Sequence, residues 1–167
     1  MNLYIIRHGI AEDLGATNHY ADNQRALTEV GRKKMHSIAD GLRAFEVRFD
    51  LILASPFLRA RETAEILAEV FKMKDKLAFS ENLIPPGYLE QLVEEINEHY
   101  PVENLAVVGH EPALSSLISI LLSGQPALNV TMKKGGVCHL TMDNLQLEGG
   151  ATLEWLLTPS QLVKLGE

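Results

Sequence analysis

The chain has 167 residues, 46% of them hydrophobic, a single cysteine and a formal net charge of −7. That length and apolar content suit one globular domain spanning residues 1–167. No apolar run approaches the ~20 residues needed to cross a bilayer, and no secretory signal pattern opens the chain, so a soluble, cytoplasmic protein with no membrane partner is expected. An acidic chain is poorly suited to non-specific nucleic-acid binding, which needs an excess of Lys and Arg, and the absence of a long exposed apolar run favours a monomer. Cys138, in a predicted strand, reads as a small packing residue, and neither a CxxC pair nor a His/Cys cluster suggests zinc. The charge is uneven: residues 1–61 carry nine Lys/Arg against seven Asp/Glu, and residues 62–167 carry six against fifteen, giving +2 and −9. A locally positive pocket in an acidic protein suits a small anion.

In chain order, Leu3 to Ile6 form a short apolar strand, and Arg7, His8 and Gly9 follow it directly. Residues 10–26 are polar and aperiodic, with Gly15, Asn18, Asp22 and Asn23 supplying turn chemistry, and read as a long loop over the end of that strand. Thr28 caps a helix whose apolar stripe is Val30, Met35, Ile38, Ala39, Leu42 and Phe45. A second strand at about Asp50 to Ala54 ends in Ser55 and Pro56, and a helix runs from about Leu58 to Phe71. A third short strand falls near Leu77 to Phe79. Pro85, Pro86 and Gly87 then break the chain before a helix from about Tyr88 to His99, where Tyr88 either packs the helix start or lines a pocket mouth. Leu105 to Val108 is a compact apolar strand ending in Gly109, His110, Glu111 and Pro112, and residues 113–122 form a strongly apolar helix. Val130 to Met132, Val137 to Met142 and Thr152 to Leu157 read as strands separated by turns, which favours antiparallel hairpins.

Alternating strands and helices followed by hairpins predict an α/β fold: a three-layer α/β/α sandwich with a mostly parallel central sheet and C-terminal antiparallel hairpin strands. Open sheets of this kind bind ligands at the carboxyl ends of their strands. If strands one, two and four are parallel neighbours, Arg7-His8, Ser55 to Arg59, and Gly109-His110 emerge at one sheet edge. Arginine donates paired hydrogen bonds to phosphate oxygens and stays charged, whereas a neutral imidazole is a nucleophile near pH 7. Two arginines, one nucleophilic and one donor imidazole match phosphoryl transfer, where catalysis is mostly positioning and charge stabilisation. No carboxylate cluster is spaced for magnesium, so neither a metal nor another cofactor is expected. The helix after Ser55-Pro56 adds its N-terminal dipole; Ser55 caps that helix or bonds to a site Arg or His. Arg61 and Glu62 read as a solvated pair or a helix-surface feature. His19, His36, His99 and His139 have no matching partners and read as surface or structural residues.

Three stretches carry a family resemblance: Arg7-His8-Gly9, Ser55 through Ala64 (SPFLRARETA), and Val108-Gly109-His110-Glu111-Pro112. In that order they resemble the signature of the histidine phosphatase, or phosphoglycerate-mutase-like, superfamily. The short length and Arg25 to Gly31 (RALTEVG) look most like its small SixA-type branch of protein phosphohistidine phosphatases. The resemblance implies that His8 attacks phosphorus and becomes a phosphohistidine intermediate, with Arg7, Arg59 and His110 holding the phosphoryl oxygens. A carbonyl near Gly9 is a candidate to hold the proton on the other nitrogen of His8, and His110 is better employed protonated. Glu81 is the nearest match to the glutamate that larger members use as general acid, against an exposed loop carboxylate; a phosphohistidine leaving group makes such an acid dispensable. Arg25 either contacts phosphate from the long loop or faces solvent. The implied activity is metal-independent hydrolysis of phosphohistidine on a partner protein, such as a histidine-containing phosphotransfer domain or a phosphocarrier. The alternatives are a small-molecule phosphomonoesterase and a phosphate-dependent binding module without turnover.

Overall fold

The computed structural model describes residues 1–15 and 21–167; Asn18 and His19 of the predicted loop lie outside them. Four strands, β1 (Asn2–Arg7), β2 (Leu51–Ala54), β3 (Leu77–Phe79) and β4 (Asn104–Gly109), alternate with helices α1 (Glu29–Ala44), α2 (Leu58–Val70), α3 (Leu89–His99) and α4 (Ala113–Ser123). Strands β5 (Val137–Thr141) and β6 (Thr152–Leu157) and helix α5 (Pro159–Leu165) complete the chain. The sheet order is β3-β2-β4-β1-β5-β6. β1, β2 and β3 are joined in parallel through β4 and β2, whereas β5 pairs antiparallel with β1, and β6 antiparallel with β5. This is the predicted mostly parallel sheet with antiparallel C-terminal strands.

Two-residue periodicity divides the core between the two faces of the sheet. Tyr4, Ile6, Ile52, Ala54, Ala106 and Val108 face one way and pack under α1, α2 and α5. Leu3, Ile5, Leu53, Leu105 and Val107 face the other way and pack under α3 and α4. The central strands are buried on both faces, which is why they read as continuous apolar runs. Cys138 belongs to the second cluster, and burial pushes its thiol up to about 12, in keeping with a packing residue.

Helix α1 begins as predicted, with the Thr28 hydroxyl accepting from the Gly31 amide at 2.9 Å. Its buried stripe is Gly31, Met35, Ile38, Ala39 and Leu42. Val30 and Phe45, expected on it, are 66% and 43% exposed. Val30 sits ~100° around the helix from Gly31, and Phe45 lies beyond the helix end, where its ring meets Trp155 edge-on at 5.5 Å.

Two further expectations are corrected. Val130 to Met132 is not a strand; Met132 is buried, and its carbonyl accepts from Arg7 Nη1 at 2.8 Å rather than from a neighbouring strand. Helix α5 was not anticipated, although Thr158-Pro159-Ser160-Gln161 announces it. The Thr158 hydroxyl accepts from the Gln161 amide, the Gln161 side chain accepts from the Thr158 amide, and Pro159 occupies the first turn.

Candidate active site

The register of the parallel strands brings the three motifs together. Arg7 is level with Gly109, and Ala54 with Val108. Past the last ladder positions, the His8 amide donates to the Gly109 carbonyl at 3.1 Å and the Ser55 amide to the Val108 carbonyl at 3.0 Å. The rings of His8 and His110 therefore lie 5.2 Å apart, at the edge where α2 and α4 begin. His8, Arg59 and His110 are 5%, 4% and 3% exposed, far more buried than such side chains usually are. Their polar atoms must accordingly be accounted for one by one.

His8 Nδ1 lies 2.7 Å from the Gly9 carbonyl oxygen. A carbonyl can only accept, so Nδ1 carries the proton and Nε2 keeps its lone pair. Arg59 Nε donates to that nitrogen at 3.3 Å. Burial pushes the His8 pKa down to about 4; the Gly9 carbonyl opposes this, while the charges of Arg59, Arg7 and Lys134 reinforce it. His8 is thus a neutral imidazole at pH 7 with its free nitrogen turned toward Arg59. Gly9 acts through its carbonyl, since its amide donates to Thr63 Oγ1 at 3.0 Å. Thr63 Oγ1 in turn donates to the Arg59 carbonyl at 2.7 Å, fastening α2 to the end of β1.

His110 Nε2 lies 2.8 Å from Ser55 Oγ, which also accepts from the Phe57 amide at 3.2 Å. The N-cap position of α2 is Phe57, with no side-chain cap, so of the two roles expected for Ser55 the bond to His110 is the one that is made. Ser55 is fully buried, and His110 Nε2 is the one acceptor its hydroxyl meets among the described residues, so its proton goes to Nε2 and the His110 proton sits on Nδ1. Burial pushes the His110 pKa down to about 3, Arg59 and His8 add to the shift, and Asp22 opposes it. Burial thus favours the neutral form of His110; the protonated form expected from the sequence is the one that a phosphate dianion favours. His110 Nδ1 and Arg7 Nε are buried without a hydrogen-bond partner among the described residues. An unsatisfied buried donor costs ~1–3 kcal/mol, and two beside His8 mark a site built to receive acceptor oxygens.

Arg59 is held over the Phe57 ring, 5.5 Å from its centroid. Its Nη1 donates to the Asp22 carbonyl at 2.9 Å, and its Nη2 pairs with the Asp22 carboxylate at 3.3 Å. Arg25 shares that carboxylate, with Nε at 2.9 Å, and donates from Nη1 to the Glu12 carbonyl at 3.0 Å. Arg25 thus joins the cluster through Asp22. Burial raises the Asp22 pKa, but Arg59 and Arg25 outweigh it and hold the carboxyl below its ordinary value. Glu81 is exposed, in the turn Glu81–Leu83, and makes no hydrogen bond or ion pair to these groups among the described residues. Glu62, expected on the surface with Arg61, instead accepts from the Leu27 amide at 2.6 Å and from Arg32 at 2.5 Å, joining α1 to α2. Arg61 pairs with Glu65 on the helix surface. His36 and His99 are exposed, and His139 stacks on Tyr4 and meets Asn2 at 2.9 Å. From the sequence Asp22 reads only as a turn residue of the long loop, and Thr63 and Lys134 carry no site role there. Lys134 has a visible signal, because Lys133 and Lys134 are the only Lys or Arg between Lys76 and Lys164.

The histidine phosphatase superfamily (branch 1) model matches residues 3–83. An uncharacterized protein of Picosynechococcus sp. is 33% identical over 96% of this chain and 96% of its own. The phosphohistidine phosphatase SixA of Escherichia coli is 28% identical over 97% and 96%. A solved structure of the protein histidine phosphatase SixA complexed with tungstate superposes with a TM-score of 0.82 at 25% identity, covering 97% of this chain and 99% of that one. The chain belongs to the histidine phosphatase superfamily and is a phosphatase. Within the superfamily it falls in the small SixA-type branch, which its relatives match almost end to end.

Proposed function

We propose that this phosphatase removes phosphoryl groups from histidine side chains of a partner protein. The observation that carries the reading is the state of His8: Nδ1 is protonated against Gly9, and Nε2 is unprotonated and buried beside Arg59. Nε2 attacks phosphorus, the new Nε2–P bond forms as the P–N bond to the substrate imidazole breaks, and that imidazole leaves with the bonding pair. Arg7, Arg59 and the Nδ1–H of His110 hold the phosphoryl oxygens, supplying the positive charge and donors that the transition state needs. Water then attacks phosphorus, the Nε2–P bond breaks, and phosphate departs with the water oxygen.

An imidazole leaving group needs little help from an acid, which accords with Glu81 standing free of the cluster. The names of the relatives support the same substrate class, since two of them are phosphohistidine phosphatases. The test is release of phosphate from a phosphohistidine-bearing protein in the presence of a chelator, with wild type and Glu81→Gln side by side. Both are expected to turn the substrate over at similar rates. Cleavage of an aryl phosphate without any attack on the phosphohistidine protein would overturn the reading.

A further inference from the structure

Lys133 and Lys134 stand apart in the charge pattern. Between Leu77 and Val163 the chain carries ten Asp and Glu residues and only these two cations, adjacent in sequence. The fold fixes them beside the nucleophile. Arg7 Nη1 donates to the Met132 carbonyl at 2.8 Å, and the Gly135 amide lies 3.0 Å from the Arg7 carbonyl and 3.1 Å from that of His8. The Arg7 amide donates to the Gly136 carbonyl at 3.1 Å, and the Gly136 amide closes the turn on the Lys133 carbonyl at 2.7 Å. Gly135 has φ +83°, and a Cβ there would come within 2.8 Å of Ile38. The turn is therefore a fixed wall of the site, with only its lysine side chains free to adapt.

Both lysines are exposed, and neither has a carboxylate partner among the described residues. Residues 16–20 contain no acidic side chain that might supply one. Their charge is thus not spent on the fold. It does reach the site, because Lys134 is one of three cations that hold the His8 pKa down, after Arg59 and Arg7. The lysines are exposed where His8, Arg59 and His110 are buried, and the phosphoryl oxygens already have Arg7, Arg59 and His110. An anion that meets the lysines must lie beyond the phosphoryl group, on the body of the substrate. The chain as a whole carries a net charge of −7, so a pair of unpartnered cations at this edge helps to steer an anionic partner to it.

We propose that Lys133 and Lys134 are specificity residues that dock a carboxylate carried by the protein substrate next to its phosphorylated histidine. The inference rests on the phosphohistidine reading above. The probes are two phosphohistidine peptides that differ only in having Glu or Gln beside the phosphorylated residue, with p-nitrophenyl phosphate as a control. Wild type is expected to favour the Glu peptide about tenfold in kcat/KM, with the preference fading as salt is raised. In the double variant Lys133→Ala, Lys134→Ala the two peptides become equivalent, while hydrolysis of p-nitrophenyl phosphate stays within about twofold. The single variant Lys134→Met separates the two lysines. Equal use of both peptides by wild type, or a preference that survives in the double variant, overturns the inference. Failure to hydrolyse either peptide removes the phosphohistidine reading and this inference with it.

Discussion

His8 is held by two hydrogen bonds of opposite sense: it gives a proton to Gly9 and receives one from Arg59. In the proposed mechanism that pairing decides which nitrogen reacts, and it depends on backbone and helix positions more than on the residue itself. His110 is set in the same way by Ser55. Replacing Ser55 by Ala leaves His110 Nε2 without its donor and frees the ring to change tautomer. The expected result is a loss of about tenfold in kcat, the worth of one hydrogen bond, with KM nearly unchanged, read by steady-state kinetics; an unchanged kcat would show that Ser55 serves only the Phe57 turn. Asp22 acts in the opposite direction. Its carbonyl and carboxylate occupy both terminal nitrogens of Arg59, so a phosphoryl oxygen that uses those donors has to displace it. Asp22→Ala keeps the backbone carbonyl but removes the carboxylate that holds Nη2, so it should bind inorganic phosphate roughly tenfold more tightly by calorimetry. Weaker binding would mean that Asp22 chiefly orients Arg59 for the ligand.

The elements hold these residues through close approaches that admit no extra atom. At the crossing of α1 and α5, a Cβ on Gly41 would lie 1.8 Å from the Leu162 carbonyl oxygen. Gly41→Ala must push the helices apart, and a destabilisation of about 3 kcal/mol is expected, measured as a lowered urea midpoint. Stability equal to wild type would show that α5 can shift at no cost. The contact also explains what the sequence concealed. The strands and four main helices were legible because apolar runs and 3.6-residue stripes survive on their own. The C-terminal helix has only seven residues, too few for a stripe to emerge, and only its capping residues announced it. Val130 to Met132 has strand-like composition, but the Met132 carbonyl is taken by the Arg7 side chain, a tertiary contact that no local pattern encodes. In the site, Arg7, His8 and His110 are readable from strand ends, and Arg59 from the start of the helix that follows Ser55-Pro56. Asp22 and Thr63 are not, because their significance lies in partners 37 and 54 residues away.

Across the whole molecule, the same burial that readies the histidines makes the protein sensitive to acid. In the unfolded chain both titrate near 6.5, and in the folded one at about 4 and about 3. Above about pH 6.5 they are neutral in both states and contribute nothing to the pH dependence. As pH falls below it the unfolded chain takes up their protons first, so stability declines steadily toward the folded values. Urea unfolding between pH 7 and 4.5 should show this decline, and His110→Gln should make the slope shallower by roughly one proton. An identical slope would place His110 in contact with water. No helix among the described residues is long and apolar enough to cross a membrane, and Arg7, Arg25 and Arg59 make the candidate site a local positive region in an acidic chain. The proposed mechanism rests on His8 acting as a buried, neutral nucleophile among fixed cations. The direct measurement is rapid quenching at alkaline pH during turnover, followed by mapping of the phosphorylated peptide. Acid-labile phosphate is expected on His8 in wild type, more of it in His110→Ala, and none in His8→Ala. Turnover without phosphate ever appearing on His8, or its appearance on another residue, would contradict the mechanism.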